Sequence, residues 1–171
     1  MIKYTACICE GGAERVILDM LLDYNKLIFS RDELLEEEIL KLRKGKDFED
    51  RYLRRKFDGK ITVYRILDSR QENFKISKAY QNKIDVINVI TAPEIEMLII
   101  CNEGKYKDYK KRKNISPSEY CKSVLGMKYV KSIAFVKEYF SDVSVLERSL
   151  QKYKKISKSR KGEKTIWDLL K

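Results

Sequence analysis

The carboxylates best placed to do chemistry stand at the ends of apolar, β-prone segments. Glu10 follows the run IKYTACIC (residues 2–9), and Asp68 follows the run ITVYRIL (residues 61–67). If both runs are parallel strands, the two acids lie beyond the same edge of the sheet, where α/β proteins place functional residues. Four more acids lie close to such strand ends in the sequence: Glu14, Glu72, Glu94 and Glu96.

Each acid taken alone could be a turn residue or a helix-capping residue. Their joint placement instead predicts an acidic cluster centred on Glu10 and Asp68. The chain contains no histidine, which excludes Ser-His-Asp and Cys-His catalysis and histidine-ligated metals. Oxygen ligands favour Mg²⁺ or Mn²⁺, and a metal held in this way can stabilise charge on a phosphate and activate water.

The predicted elements alternate between strands and helices. The run AERVILDMLLDY (13–24) has helical periodicity, KLIFS (26–30) is a candidate second strand, and 31–57 predicts two helices or one helix interrupted at Gly45. A short helix over 70–82 leads to the strand 84–90, and Pro93 begins another helix. The order β-α-β-α-β-α-β predicts an α/β fold with a four-stranded, mainly parallel sheet flanked by helices.

The segment CICEGGAERVIL resembles the first motif of the TOPRIM fold, which is found in primases, topoisomerases and OLD-family nucleases. TAPEIEMLIICNEGKY resembles a segment of RloB-like TOPRIM proteins, with Pro93 and Glu96 at the matching positions. The resemblance covers about residues 2–110. RloB-like proteins are predicted nucleases associated with phage defence, so the resemblance implies that Glu10 is a general base or metal ligand and that Asp68 is a metal ligand.

The third strand of a TOPRIM domain ends in Asp-x-Asp, and this sequence has Arg70 at the second position. A cation there repels a metal ion. If a helix follows Asp68, Glu72 could take the missing role; otherwise the site is poor in metal or inactive. The candidate metal ligands are Glu10, Glu14, Asp68, Glu72 and Glu96, and the candidate catalytic residues are Glu10 and Asp68.

The positive charge of the chain lies entirely in its last part. Residues 1–100 contain 18 Lys and Arg and 18 Asp and Glu, whereas residues 101–171 contain 19 and 8. This asymmetry favours nucleic-acid contact, although a solvated basic surface would show the same charge. Tyrosines among the lysines would suit single strands or RNA. The candidate contacts are Lys105, Lys107, Lys110, Lys111, Arg112, Lys113, Lys154, Lys155 and Arg160.

We predict two regions, a TOPRIM-like core over 1–102 and a basic helical extension over 103–171 packed on it. In the extension, Ser-Pro-Ser-Glu (116–119) predicts a helix that ends at Gly126, and further helices are expected over 131–140 and 144–155. The apolar residues near the end, Ile166 to Leu170, are expected to dock on the body. Cys7 and Cys9 would share one strand face, and buried thiols explain them more simply than zinc.

No apolar run approaches the length of a membrane span, and the N-terminus is unlike a signal peptide, so a cytoplasmic protein is expected. Three functions remain open. The first is a metal-dependent nuclease or related phosphoryl-transfer enzyme acting in phage defence or on a mobile element. The second is a catalytically inactive, TOPRIM-like nucleic-acid-binding protein. The third is an effector subunit that requires an ATPase partner.

Overall fold

The computed structural model of the chain describes residues 4–71 and 73–171. Three strands form one parallel sheet in the order β1-β2-β3, with Tyr4 opposite Ile61 and Ile61 opposite Ile84. The strands are β1 (Tyr4–Ile8), β2 (Ile61–Leu67) and β3 (Ile84–Ile90). The bounds of β2 and β3 are those predicted from their β-branched sequences.

Seven α-helices surround the sheet within the described residues: α1 (Gly12–Asp23), α2 (Gly45–Phe48), α3 (Met97–Asn102), α4 (Tyr106–Lys111), α5 (Pro117–Ser123), α6 (Ile133–Tyr139) and α7 (Val143–Ile156). A π-helical turn, Glu49–Leu53, extends α2. Short 3₁₀ helices cover Arg31–Glu33, Leu35–Glu37, Lys78–Lys83 and Ile166–Leu169. No described helix is long and apolar enough to cross a membrane.

Alternate residues of each strand point to opposite sides of the sheet, and buried residues lie on both sides. On one face, Cys7 and Tyr64 join the larger apolar cluster with α1, α3 and α5 to α7. On the other face, Ala6 and Val63 pack with residues of α2 and its extension. The prediction of an α/β fold with a parallel sheet flanked by helices is therefore confirmed.

The predicted fourth strand is wrong. Residues 26–30 do not join the sheet: Leu27 makes an isolated antiparallel bridge with Leu170, and the Ile28 N–H donates to the Leu169 carbonyl at 2.8 Å. Leu27 and Phe29 are buried, but the backbone partners of this segment come from the far end of the chain. The same contacts bury Leu169, which confirms the docking predicted for the C-terminal residues.

The helix predicted from residue 31 is also wrong. Arg31–Glu33 and Leu35–Glu37 are separate 3₁₀ turns, and Glu36 and Glu37 have positive φ angles of 59° and 54°. The apolar residues of this segment lie along the outer side of β1, where Leu40 exchanges backbone hydrogen bonds with Cys7 and Cys9. Apolar residues spaced as in a helix therefore belong here to an irregular segment at the edge of the sheet.

Gly45, predicted to break a helix, is in fact the first residue of α2. It is buried, and a Cβ atom there would collide with the backbone carbonyl oxygen of Lys75. The helix predicted over 70–82 is not seen among the described residues of this range: residues 70 and 71 form a turn, and helical structure is limited to the 3₁₀ helix Lys78–Lys83. Residues 69–71 do not form a helix. The condition for Glu72 to replace the second aspartate, a helix directly after Asp68, is therefore not met.

The predicted C-terminal helices are present with adjusted ends. Ser116 caps α5 by accepting a hydrogen bond from the Glu119 N–H at 3.2 Å, and Gly126 has a positive φ of 69° just after this helix. The four cysteines are buried and free, as expected for structural thiols. Burial raises the pKa of Cys9 to about 12, so this thiol stays protonated and unreactive at neutral pH.

Candidate functional site

An acidic cleft of about 260 Å³ opens at the carboxyl end of the sheet. Asp68 comes from the end of β2, Glu14 from the first turn of α1, and Glu94 and Glu96 from the segment between β3 and α3. Lys131, before α6, completes the charged lining. We call this the acid cleft; its residues are Gly11, Gly12, Ala13, Glu14, Asp68, Pro93, Glu94, Ile95, Glu96 and Lys131.

Glu96 is the most enclosed acid of the acid cleft, with 3% of its surface exposed. Within the described residues, its carboxylate has no hydrogen bond or ion pair with another residue. Burial is the main reason that its pKa is raised from 4.5 to about 7, and repulsion by Glu94 and Glu14 adds to the effect. A carboxyl group that titrates near neutral pH can both give and accept a proton under physiological conditions.

Glu94 and Glu14 are held in different ways. Glu94 accepts hydrogen bonds from the Ser118 N–H at 3.0 Å and from Lys131 Nζ at 3.3 Å. Burial raises the pKa of Glu14, and Asp68 raises it further. A Cβ atom on Gly11 would collide with the Glu14 carboxylate, so the glycine in Glu-Gly-Gly-Ala-Glu leaves room for this side chain to fold back.

Glu10 lies apart from the acid cleft lining. Its carboxylate accepts a hydrogen bond from Arg43 Nε at 2.6 Å. Together with Arg43, Lys44 and Asn73 it lines a separate depression. Although Glu10 and Asp68 follow neighbouring strands, the structure groups Asp68 with Glu14, Glu94 and Glu96 instead. Glu72 lies outside the described residues.

The donor chemistry of the acid cleft suits Mg²⁺ or Mn²⁺, because its side chains offer hard oxygen ligands. The arrangement does not fit. Among residues 4–71 and 73–171, no group of three or more Asp, Glu or Cys side chains is arranged to hold a metal ion. The ammonium group of Lys131 also supplies a positive charge to this cleft.

A second cleft, of about 340 Å³, adjoins the acid cleft and shares Pro93 with it. Half-buried Tyr106 and Tyr109 of α4 line it, together with the exposed Lys110 and Lys158. We call this the tyrosine cleft; its lining is Arg70, Ile90, Ala92, Pro93, Met97, Tyr106, Tyr109, Lys110, Tyr153, Ile156, Ser157, Lys158 and Ser159.

The helices on either side of the tyrosine cleft are fixed by buried contacts. The Tyr153 hydroxyl of α7 donates to the Ala92 carbonyl at 2.7 Å, beside Pro93. Tyr109 of α4 packs edge-to-face on Tyr120, with ring centroids 5.4 Å apart. These two contacts tie α7 and α4 to their neighbours on either side of the cleft.

The predicted nucleic-acid contacts are distributed unevenly. Lys110 lines the tyrosine cleft, whereas Lys154 forms an ion pair with Asp168 at 2.6 Å and Arg112 forms one with Asp108 at 3.1 Å. Six others are exposed outside that lining: Lys105, Lys107, Lys111, Lys113, Lys155 and Arg160.

Sequence reasoning missed three cations. Arg70 and Lys158 line the tyrosine cleft, and Lys131 lines the acid cleft. Lys158 lies within the basic tail and could have been chosen on that ground. In the sequence, Arg70 stands out only because it replaces an expected acid, and nothing in the local sequence distinguishes Lys131 from its neighbours.

No protein-family model, curated protein or solved structure matches this chain. Its function must therefore be argued from the two clefts.

Proposed function

We propose that this protein binds single-stranded nucleic acid in the tyrosine cleft. The observation that carries the proposal is the presence of two half-buried tyrosines and two exposed lysines in one open cleft. Aromatic rings stack on unpaired bases, and lysines neutralise the phosphates between them. The net positive charge of residues 101–171 would attract the polyanion to this side of the molecule.

A duplex would not use this cleft well, because its bases are already stacked on one another. The rings of Tyr106 and Tyr109 could contact only bases that have left a stack. We therefore expect single-stranded DNA or RNA to bind more tightly than duplex DNA, and affinity to fall as salt concentration rises.

Fluorescence anisotropy with labelled single strands and duplexes at several salt concentrations tests this proposal. Tyr106→Leu keeps an apolar side chain but removes the stacking ring, and should weaken single-strand binding by about 1–3 kcal/mol. Tyr129→Leu is the matched control, because Tyr129 is 81% exposed and lies outside the cleft lining. Equal binding of duplex, or an affinity insensitive to Tyr106→Leu, would exclude this cleft as the binding site.

We further propose that the scaffold is TOPRIM-like. The support is that β1 and β2 are adjacent parallel strands, that Asp68 directly follows β2, and that Glu10 comes two residues after the end of β1, where the Glu-Gly-Gly-Ala-Glu turn leads into α1. This proposal concerns the architecture alone, since Glu10 is paired with Arg43.

Phosphodiester cleavage is a second candidate function, favoured by the position of Glu96. The acid cleft and the tyrosine cleft share Pro93, so a strand held by the tyrosines could pass over the carboxylates. Glu96 could transfer a proton to or from a reacting oxygen, because its pKa of about 7 places it between its two protonation states.

Incubation of end-labelled DNA and RNA strands with the protein tests the second candidate. Parallel reactions contain Mg²⁺, Mn²⁺ or EDTA. If the acid cleft cleaves, Glu96→Gln should abolish the products and Glu10→Gln should retain them. The opposite pattern would assign the chemistry to Glu10, and the absence of products under all conditions would leave binding as the function.

A further inference from the structure

Arg70 joins the end of β2 to a segment 93 residues further along the chain. Its Nε and Nη2 atoms donate to the two carboxylate oxygens of Glu163 at 2.8 and 3.0 Å, and Nη2 also donates to the Lys158 carbonyl at 2.9 Å. The side chains of Arg70 and Glu163 are 29% and 12% exposed. A two-pronged contact of this kind fixes direction as well as distance.

Residues 157–163, which we call the basic wall, are held at the Glu163 end in two further ways. Glu163 accepts a hydrogen bond from the Arg160 N–H at 2.7 Å. The next residue, Lys164, pairs with β3: its N–H donates to the Asn88 carbonyl at 2.9 Å, and its carbonyl accepts from the Ile90 N–H at 2.7 Å.

The basic wall forms one side of the tyrosine cleft through Ser157, Lys158 and Ser159. Lys110 lines the same cleft from α4. Since the Lys158 backbone is held directly by Arg70, the placement of the Lys158 side chain depends on the contact between Arg70 and Glu163.

We infer that Arg70 and Glu163 form a latch that holds the basic wall in place to bind phosphates of a single strand lying in the tyrosine cleft. This inference rests on the proposed function of that cleft. Arg70 is a positioning residue: its charge is neutralised by Glu163, so its contribution is to hold the backbone that carries Lys158. Arg70 thus donates hydrogen bonds to Glu163 and to the Lys158 carbonyl that an aspartate at this position could not donate.

The decisive variant is Glu163→Gln, because charge and positioning predict opposite results. The substitution removes a negative charge, raising the net charge by one from +11, so electrostatics alone predicts tighter binding of nucleic acid. Loss of the latch predicts weaker binding, by roughly three- to tenfold, with a salt dependence reduced by about one phosphate contact. Unchanged or tighter binding by Glu163→Gln would overturn the link between the latch and binding.

Arg70→Gln completes the comparison. It should weaken binding, and the double variant with Glu163→Gln should be no weaker than Arg70→Gln alone, because one broken contact cannot be lost twice. Arg55→Gln is the matched control: Arg55 is exposed, and its removal changes the net charge by the same amount. If Arg55→Gln weakens binding as much as Arg70→Gln does, the effect of Arg70 is general charge and the latch is refuted.

Limited trypsin digestion tests the latch in the absence of nucleic acid. The basic wall contains the cleavage sites Lys158, Arg160 and Lys161. Both single variants should be cut there faster than the parent and the Arg55→Gln control. Equal cutting rates would refute the latch, whatever the binding results. If the parent binds no nucleic acid but the variants are cut faster, the proposed function fails while the latch itself stands.

Discussion

Replacing Glu96 by glutamine should raise the free energy of unfolding at neutral and alkaline pH but not at acidic pH. The folded state holds the Glu96 proton more tightly than the unfolded state does, since the pKa rises from 4.5 to about 7 on folding. Deprotonation therefore opposes folding. The penalty is absent below pH 4.5, where both states are protonated, and is complete above about pH 7. Glutamine has the shape of the protonated acid and carries no charge, so this penalty is absent from the variant at every pH.

The size of the effect follows from the same pKa. At about 1.4 kcal/mol for each unit of pKa, the rise from 4.5 to about 7 corresponds to at most about 3.5 kcal/mol of unfolding free energy. Burial is its main cause, and repulsion by Glu94 and Glu14 adds to it. The ammonium group of Lys131 acts in the opposite direction. Because Glu96 lines a cleft that is open to solvent, screening reduces this value.

Urea unfolding of the parent and Glu96→Gln proteins at pH 4.5, 6 and 8 measures the effect. The difference in unfolding free energy should be near zero at pH 4.5 and rise to about 1–3 kcal/mol at pH 8. Glu138→Gln is the control, because Glu138 is exposed and its side chain makes no hydrogen bond or ion pair with described residues. A glutamine variant that is less stable at pH 8 than the parent would show that the Glu96 carboxylate has a stabilising partner, contrary to this reasoning.

Two further variants test the acid cleft and the fold. Lys131→Met removes the positive charge that lowers the pKa values of Glu14 and Glu96. Urea unfolding should therefore show a larger loss of unfolding free energy at pH 8 than at pH 4.5. An equal loss at both pH values would contradict the electrostatic role of Lys131. Gly45→Ala forces a Cβ atom against the Lys75 backbone and should lower the unfolding free energy by about 1–3 kcal/mol. Gly12→Ala, where a Cβ would meet only ordinary contacts with Ile133 at 3.6 Å, should be close to neutral in the same assay.

The parts of the fold that could be predicted are those fixed by local sequence. The β-branched runs of β2 and β3 and the apolar stripe of α1 determine their own structure, and the strand ends place Asp68, Glu14 and Glu96 near one another. Residues 26–30 could not be placed, because whether an extended segment joins a sheet depends on which backbone lies beside it in the tertiary structure. Here, residues 169–171 do so.

The residues that line the clefts could not be predicted either, because their partners lie far away in the sequence. Arg70 stands where the resemblance implies an acid, and its partner Glu163 lies 93 residues away, so no local pattern pairs them. The same holds for Lys131 and Glu94, which meet only because residues before α6 reach the carboxyl end of the sheet. Sequence spacing predicts which residues share an element, but contacts between elements require the tertiary structure.

The backbone pairing of Lys164 with β3 also bears on how far the edge of the sheet is open to another strand. An outer strand with free N–H and C=O groups can recruit a strand from another molecule. Here, Lys164 occupies the Asn88 carbonyl and the Ile90 N–H, and on the opposite side Leu40 occupies the equivalent groups of β1. A chain cut before residue 157 would uncover the β3 side and give a second molecule a place to add a strand. The tail thus covers part of the β3 edge of the sheet as well as shaping the cleft beside it.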